Sequence, residues 1–141
     1  MSLDVLGDVN WLAIIVATLA YFALGGIWFA RKVFGDIWTR SIGWDASTEE
    51  SPGSAVYVGP LITCFVATLA IAMIAQAAGS DGVGDGIVLG IVAGLGIAGS
   101  VLFVTGYFDM TKQNPKTWFG VIGGYHLLGI TIAAVILSVW T

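Results

Sequence analysis

The sequence predicts an all-α integral membrane protein: four transmembrane helices, with a short interfacial amphipathic helix between the first and second. Three observations carry this. Hydrophobic residues make up 57% of the 141 positions and charged residues only 10%, where a soluble domain carries about 25% charge. The mean hydropathy is +0.94. The apolar residues are also gathered into long runs free of Asp, Glu, Lys and Arg. A helix needs about 20 such residues to cross roughly 30 Å of hydrocarbon. A barrel would show alternating segments of about ten residues instead. One domain fits this length.

The first span is predicted over 11–29, the second over 55–78, the third over 86–107 and the fourth over 118–140. The first residues are acidic and the first apolar run is long, so no cleavable signal peptide is expected. Ser51-Pro52 reads as an N-cap with proline at the first helical position,. Pro60 lies inside the second span and predicts a kink there,. Gly79 to Gly86 forms a glycine-rich turn, and Asn114-Pro115 breaks the chain before the fourth span,. Between the first two spans, Val33, Phe34, Ile37, Trp38 and Ile42 recur on one side and Lys32, Asp36 and Arg40 on the other. That spacing predicts an interfacial helix over 32–44. Interfacial anchoring explains it without a docking role.

All five basic residues fall after the first and third spans: Arg31, Lys32, Arg40, Lys112 and Lys116. The positive-inside rule makes that face cytoplasmic and puts both termini outside a cytoplasmic-type inner membrane. Asp4, Asp8, Asp81 and Asp85 mark the other face, with Trp11 and Trp140 at its interface. Trp28, Trp38, Trp44 and Trp118 mark the cytoplasmic interface,.

Gly82, Gly86, Gly90 and Gly94 repeat every four residues along the third span, with Ala98 next. Gly120 and Gly124 repeat the pattern in the fourth. Small residues let helix backbones approach in lipid. These faces predict either packing within the chain or a homo-oligomer, besides contact with membrane lipid.

His126 lies about eight residues inside Trp118, or roughly 12 Å deep at 1.5 Å per residue. An ionisable group at such depth is a functional hypothesis by default. The same depth on the other spans brings Tyr21, Thr63, Cys64 and Ser100 into one layer, with Tyr125 beside His126 and Tyr107 nearer the cytoplasm. These residues could line an inward-facing polar vestibule that relays a proton or binds a small ligand. Alternatively, a neutral His126 hydrogen-bonds Ser100 or a tyrosine and ties helices together, worth about 0.6 kcal/mol on average. Asp109, at the rim, is the nearest carboxylate candidate. The single Cys and single His close neither an intrachain disulfide nor a structural zinc site. No metal cluster, cofactor motif, nucleophile–base pair or phosphate loop is read, and no nucleic-acid role is expected. The glycines of the third span lack the strand and acidic residue of a dinucleotide fingerprint. Enzyme chemistry is therefore poorly supported.

Several short motifs point to a family. Asn10-Trp11 opens the first span and Gly25-Gly26-Ile27-Trp28-Phe29 closes it. Phe34-Gly35-Asp36-Ile37-Trp38 follows, and Gly124-Tyr125-His126 stands in the last span. Together they resemble the small bacterial membrane proteins grouped as domain of unknown function 1761, which often have Tyr where this chain has Phe29. The resemblance implies a four-helix membrane protein and supplies no activity. The expected role is a structural or accessory homo-oligomer, with a small transporter or channel built around His126 as the alternative.

Overall fold

The computed structural model of the chain describes residues 3–45 and 53–140. Four apolar helices are long enough to cross a membrane. A short turn of 3-10 helix, Leu3–Gly7, precedes α1, Trp11–Trp28. The side chain of Asn10 starts α1 by accepting from the Ala13 amide at 3.1 Å, which satisfies one of the free amides of the first turn,. After Ala30 turns the chain, a π-helical turn over Arg31–Gly35 runs into α2, Asp36–Ile42. Gly43, at φ +72°, ends α2, a backbone conformation glycine adopts without steric cost. Helical turns therefore cover 31–42 of the segment expected over 32–44, in two parts. The expected start at Ser51-Pro52 lies outside the described residues.

α3 spans Ala55–Ala78 and carries Pro60 inside it. α4 spans Val83–Tyr107. It begins three residues before the expected position, directly after Gly82. α5 spans Pro115–Val139. Asn114 caps it by accepting from the Thr117 amide at 3.1 Å. The Asn114-Pro115 break is thus the start of the helix, three residues ahead of Trp118.

The four long helices are not equivalent. α1, α3 and α5 share one core: Ala13, Ile14, Ala17 and Tyr21 from α1, Cys64, Ile71 and Ala72 from α3, and Tyr125, Ala133, Ala134 and Leu137 from α5. α4 is joined to this core chiefly through α5. Only 17% of its most apolar stretch is buried, against 39% for α5. α5 is therefore the central post.

The α4–α5 seam is backbone against backbone. A Cβ on Gly86 would lie 2.6 Å from the Val135 Cα, and one on Gly90 would lie 2.5 Å from the Thr131 Cα. One on Gly94 would meet the Leu127 side chain at 3.0 Å. Beyond Gly94 the four-residue rhythm breaks. α4 is π-helical over Val92–Gly99 and again over Phe103–Tyr107. Each π turn closes on the fifth residue, so the buried row steps to Gly99 and then to Gly106 instead of to Ala98. A Cβ on Gly106 would fall inside the Trp118 ring. Two glycines read as packing positions do not pack on a neighbouring helix. Gly82, at φ +99°, is the turn before α4, with its amide on the Ser138 carbonyl at 2.8 Å. Gly120 faces open space.

α3 departs from the others at one end. Its buried residues are Cys64, Thr68, Ile71, Ala72 and Ala75. Every residue from 55 to 63 is exposed. Pro60 lies in that segment and leaves the Val56 carbonyl without a helical donor. The end of the molecule that carries Asp81 and Asp85 is latched by Ser80 Oγ and Ser138 Oγ at 2.8 Å. The opposite, basic end is closed by the Asn114 amide, which donates to the Ser41 carbonyl at 3.0 Å. That bond docks α2 beneath α5.

The seam sets a sharp expectation. Gly90→Val should lower stability in detergent by about 1–3 kcal/mol, the usual cost of overpacking. Gly96→Ala, on the open side of α4, should stay within about 0.5 kcal/mol of the parent. Unfolding followed by circular dichroism measures both; equal losses would show that the close approach does not hold α4 in place.

Candidate functional site

α1, α3 and α5 bring Tyr21, Cys64, and the pair Tyr125 and His126 to a single point. Tyr21 from α1 is 2% exposed, and its ring lies against Gly129 of α5, where a Cβ would enter the ring. The Tyr21 hydroxyl hydrogen-bonds Nδ1 of His126. Tyr125, one residue away on α5, turns its hydroxyl toward α1 and α3. It reaches the Tyr21 carbonyl and the Cys64 Sγ, both at 3.5 Å. Gly25 leaves room for this phenol, since a Cβ there would lie 3.0 Å from the Tyr125 oxygen.

The donor order follows from counting protons. If Nδ1 donated, the Tyr21 hydroxyl proton and the Nε2 lone pair would both lack partners among the described residues. If Tyr21 donates, only the Nε2 proton is unmatched. Hydrocarbon offers no water to repair an unpaired group, so the second arrangement is favoured. His126 then carries its proton on Nε2, as a neutral imidazole does when the other nitrogen accepts. On the second branch Tyr125 donates to the Tyr21 carbonyl, and the Cys64 thiol donates to Tyr125.

An aromatic column continues from this cluster toward the basic end. Tyr125 packs on His126 at 4.8 Å and on Tyr21 at 5.3 Å between ring centroids. Phe29 packs edge-on against Tyr125 at 5.2 Å and against Trp38 of α2 at 5.5 Å. Trp28 covers Phe34 at 4.6 Å and donates its indole N–H to the Val121 carbonyl at 3.0 Å. The packing of Phe29, Phe34 and Trp38 around this column is not evident from depth counting; the sequence signals were the apolar side of the 32–44 segment and the short motifs that contain them.

Of the residues assigned to one polar layer, Tyr21, Cys64, Tyr125 and His126 meet. Three do not join them. Thr63 is exposed and donates to the Pro60 carbonyl at 3.0 Å. Ser100 is exposed and donates to the Gly96 carbonyl at 2.7 Å, because the π-helical stretch rotates it off the α5 side. Tyr107 stacks on Phe103 at 4.7 Å and approaches Phe119 at 6.5 Å. Asp109 is also separate. It is paired with Lys112 and accepts from the Thr111 hydroxyl at 2.6 Å. The Lys112 hydrogen bond, then those from Thr111, hold its carboxyl well below the usual carboxylate range. Lys112 in turn lies over the Trp118 ring at 4.6 Å. Thr18 and Thr68, also buried, form no side-chain hydrogen bond. They lie about one turn from Tyr21 and Cys64, toward the acidic end. No group of three metal-ligating side chains occurs among the described residues.

Four apolar helices, three of them joined through a small polar cluster and the fourth packed on α5, define a small multi-pass membrane protein. The chain belongs to the family described as Protein of unknown function (DUF1761), whose pattern matches residues 12–138. No curated protein and no solved structure matches it.

Removing one hydroxyl should cost less than filling the space its ring occupies. Tyr21→Phe should destabilise by about 0.6 kcal/mol and at most about 1.7, the range for hydrogen bonds between membrane helices. Gly129→Ala should cost about 2 kcal/mol or more, because Tyr21 must leave its place. Thermal unfolding of the two variants in one detergent decides the order, and a costlier Tyr21→Phe would refute this packing.

Proposed function

We propose that the protein is a structural or accessory component of a cytoplasmic-type membrane, and that it works as a homo-oligomer. The observation that carries the non-transporting part is that the polar cluster does not continue into a polar path. Tyr21 bonds His126, and Tyr125 bonds Cys64 and the Tyr21 carbonyl. The residues that would extend this cluster into a polar path, Thr63 and Ser100, bond to their own helices instead. Hydrogen bonds of this kind fix helices in one arrangement. By the positive-inside rule, the end with Arg31, Lys32, Arg40, Lys112 and Lys116 faces the cytoplasm,. The π turn and α2 anchor that end at the interface, with Val33 and Ile37 exposed beside the basic residues,.

Self-association is assigned to the outer side of α4. Gly86, Gly90 and Gly94 of α4 face α5 within the chain, so they support packing inside one copy. The opposite side exposes Val88, Val92 and Leu95, each about 60% accessible, and Gly96 faces open space. α4 is also the least buried of the four long helices. A second copy covering this side would give α4 a neighbour besides α5.

Two measurements test the reading. Purified protein in proteoliposomes should carry no pH-driven proton flux above empty vesicles; a flux abolished by His126→Ala would replace this reading with the transporter alternative. Val92→Cys should give a disulfide-linked dimer under mild oxidation in membranes. The native Cys64 is buried and contributes little background. Absence of the dimer for Val88→Cys, Val92→Cys and Leu95→Cys alike would remove the homo-oligomer.

A further inference from the structure

The accessory role uses one nitrogen of His126 and leaves the other unexplained. Nδ1 is engaged by Tyr21, whereas Nε2 forms no hydrogen bond among the described residues and is absent from the fully buried unpaired atoms. His126 itself is only partly buried. The reason lies in α3. His126 shares a face of α5 with Ala133 and Leu137, seven and eleven residues further on. Those two are 1% and 6% exposed, and Leu137 lines a small void together with Ala72, Ala75 and Gln76 of α3. Toward the basic end, the last buried residue of α3 is Cys64, and residues 55 to 63 are all exposed. The face of α5 that bears His126 therefore loses its cover at the level of His126. An N–H donor is left open toward the membrane.

Depth restricts what can answer that donor. His126 is eight residues inside Trp118, or about 12 Å at 1.5 Å per residue, well inside a hydrocarbon layer of roughly 30 Å. Phospholipid ester carbonyls and headgroups sit at the interface and do not reach it, while acyl chains carry no acceptor. A molecule that fills the position must bring a hydrogen-bond acceptor into hydrocarbon without carrying charge. A ring carbonyl on a lipid-soluble body does this. The imidazole itself already packs among aromatic rings. Tyr125 lies 4.8 Å from the imidazole centroid, and Tyr21 stands edge-on at 6.0 Å.

We propose that His126 is the donor of a binding site for a quinone-type ligand, entering laterally where α3 leaves α5. The ligand's ring carbonyl accepts the Nε2 proton of His126. Tyr21 acts as a positioning residue: by donating to Nδ1 it keeps the proton on Nε2. The proposal concerns binding alone and involves no electron transfer.

His126 is the sequence's one histidine, so protein labelled with ¹⁵N-histidine gives one imidazole to follow. In nanodiscs, a decyl-substituted benzoquinone should shift the Nε2–H signal. A decyl-substituted benzene of the same shape without carbonyls should not. One hydrogen bond of about 1 kcal/mol corresponds to a preference of roughly fivefold for the quinone over the carbonyl-free compound. His126→Leu should lose that preference. His126→Gln, which retains an N–H donor, should keep most of it, and its retention also shows that substitution at this position leaves the fold intact. A Nε2–H signal unmoved at saturating quinone, an equal shift from the carbonyl-free compound, or an unchanged preference in His126→Leu would each overturn the proposal.

Discussion

The ring of Tyr21 rests on Gly129, and much of the molecule is arranged around that contact. Because α5 has no side chain there, α1 can come close enough for the phenol to reach Nδ1 of His126. The same approach places the Tyr21 carbonyl within reach of Tyr125. Tyr125 in turn meets the Cys64 thiol, so α3 is drawn to the same point. Three helices are thereby registered by a handful of polar atoms. In hydrocarbon this works because the opposite donor order between Tyr21 and His126 leaves two groups unpaired instead of one.

α4 is held by a different principle. It contributes no side chain to the polar cluster. Its attachment is van der Waals contact between backbones, made possible by Gly86, Gly90 and Gly94,. The π-helical stretches keep that contact going over a helix of 25 residues. A regular α-helix with glycines every four residues drifts off its partner, since four residues exceed one turn of 3.6. The extra residue per π turn resets the phase and brings Gly99 and Gly106 to the buried side. The same reset turns Ser100 outward.

The basic end is coupled to the polar cluster through aromatic rings. Trp38 of α2 reaches Phe29, and Phe29 reaches Tyr125. α2 is also tied beneath α5 by the Asn114 amide on the Ser41 carbonyl. A displacement of α2 therefore has a packed route to the cluster. Among the described residues α3 has no such restraint at this end, where residues 55 to 63 are exposed. The two sides of the cluster thus differ: one is packed against rings, the other is open.

Four crossings and their approximate limits could be read from the sequence, because hydrocarbon thickness fixes how long an apolar run must be. The caps at Asn10 and Asn114 came only with the structure. Counting residues from the interface also found the depth at which Tyr21, Cys64 and His126 meet. Depth is a one-dimensional quantity, however, and it gives no azimuth. Thr63 and Ser100 lie at a similar depth yet face away, because α3 leaves the core next to Cys64 and α4 changes its helical pitch. The glycine row was visible, but its partner was not: a small-residue face fits another copy or a neighbouring helix equally well. Only the tertiary structure decided that α5 fills it, since that depends on where the other helices leave room. The same holds for His126. Its identity and depth belong to the sequence, whereas the pairing of Nδ1 and the openness of Nε2 arise from how three helices meet.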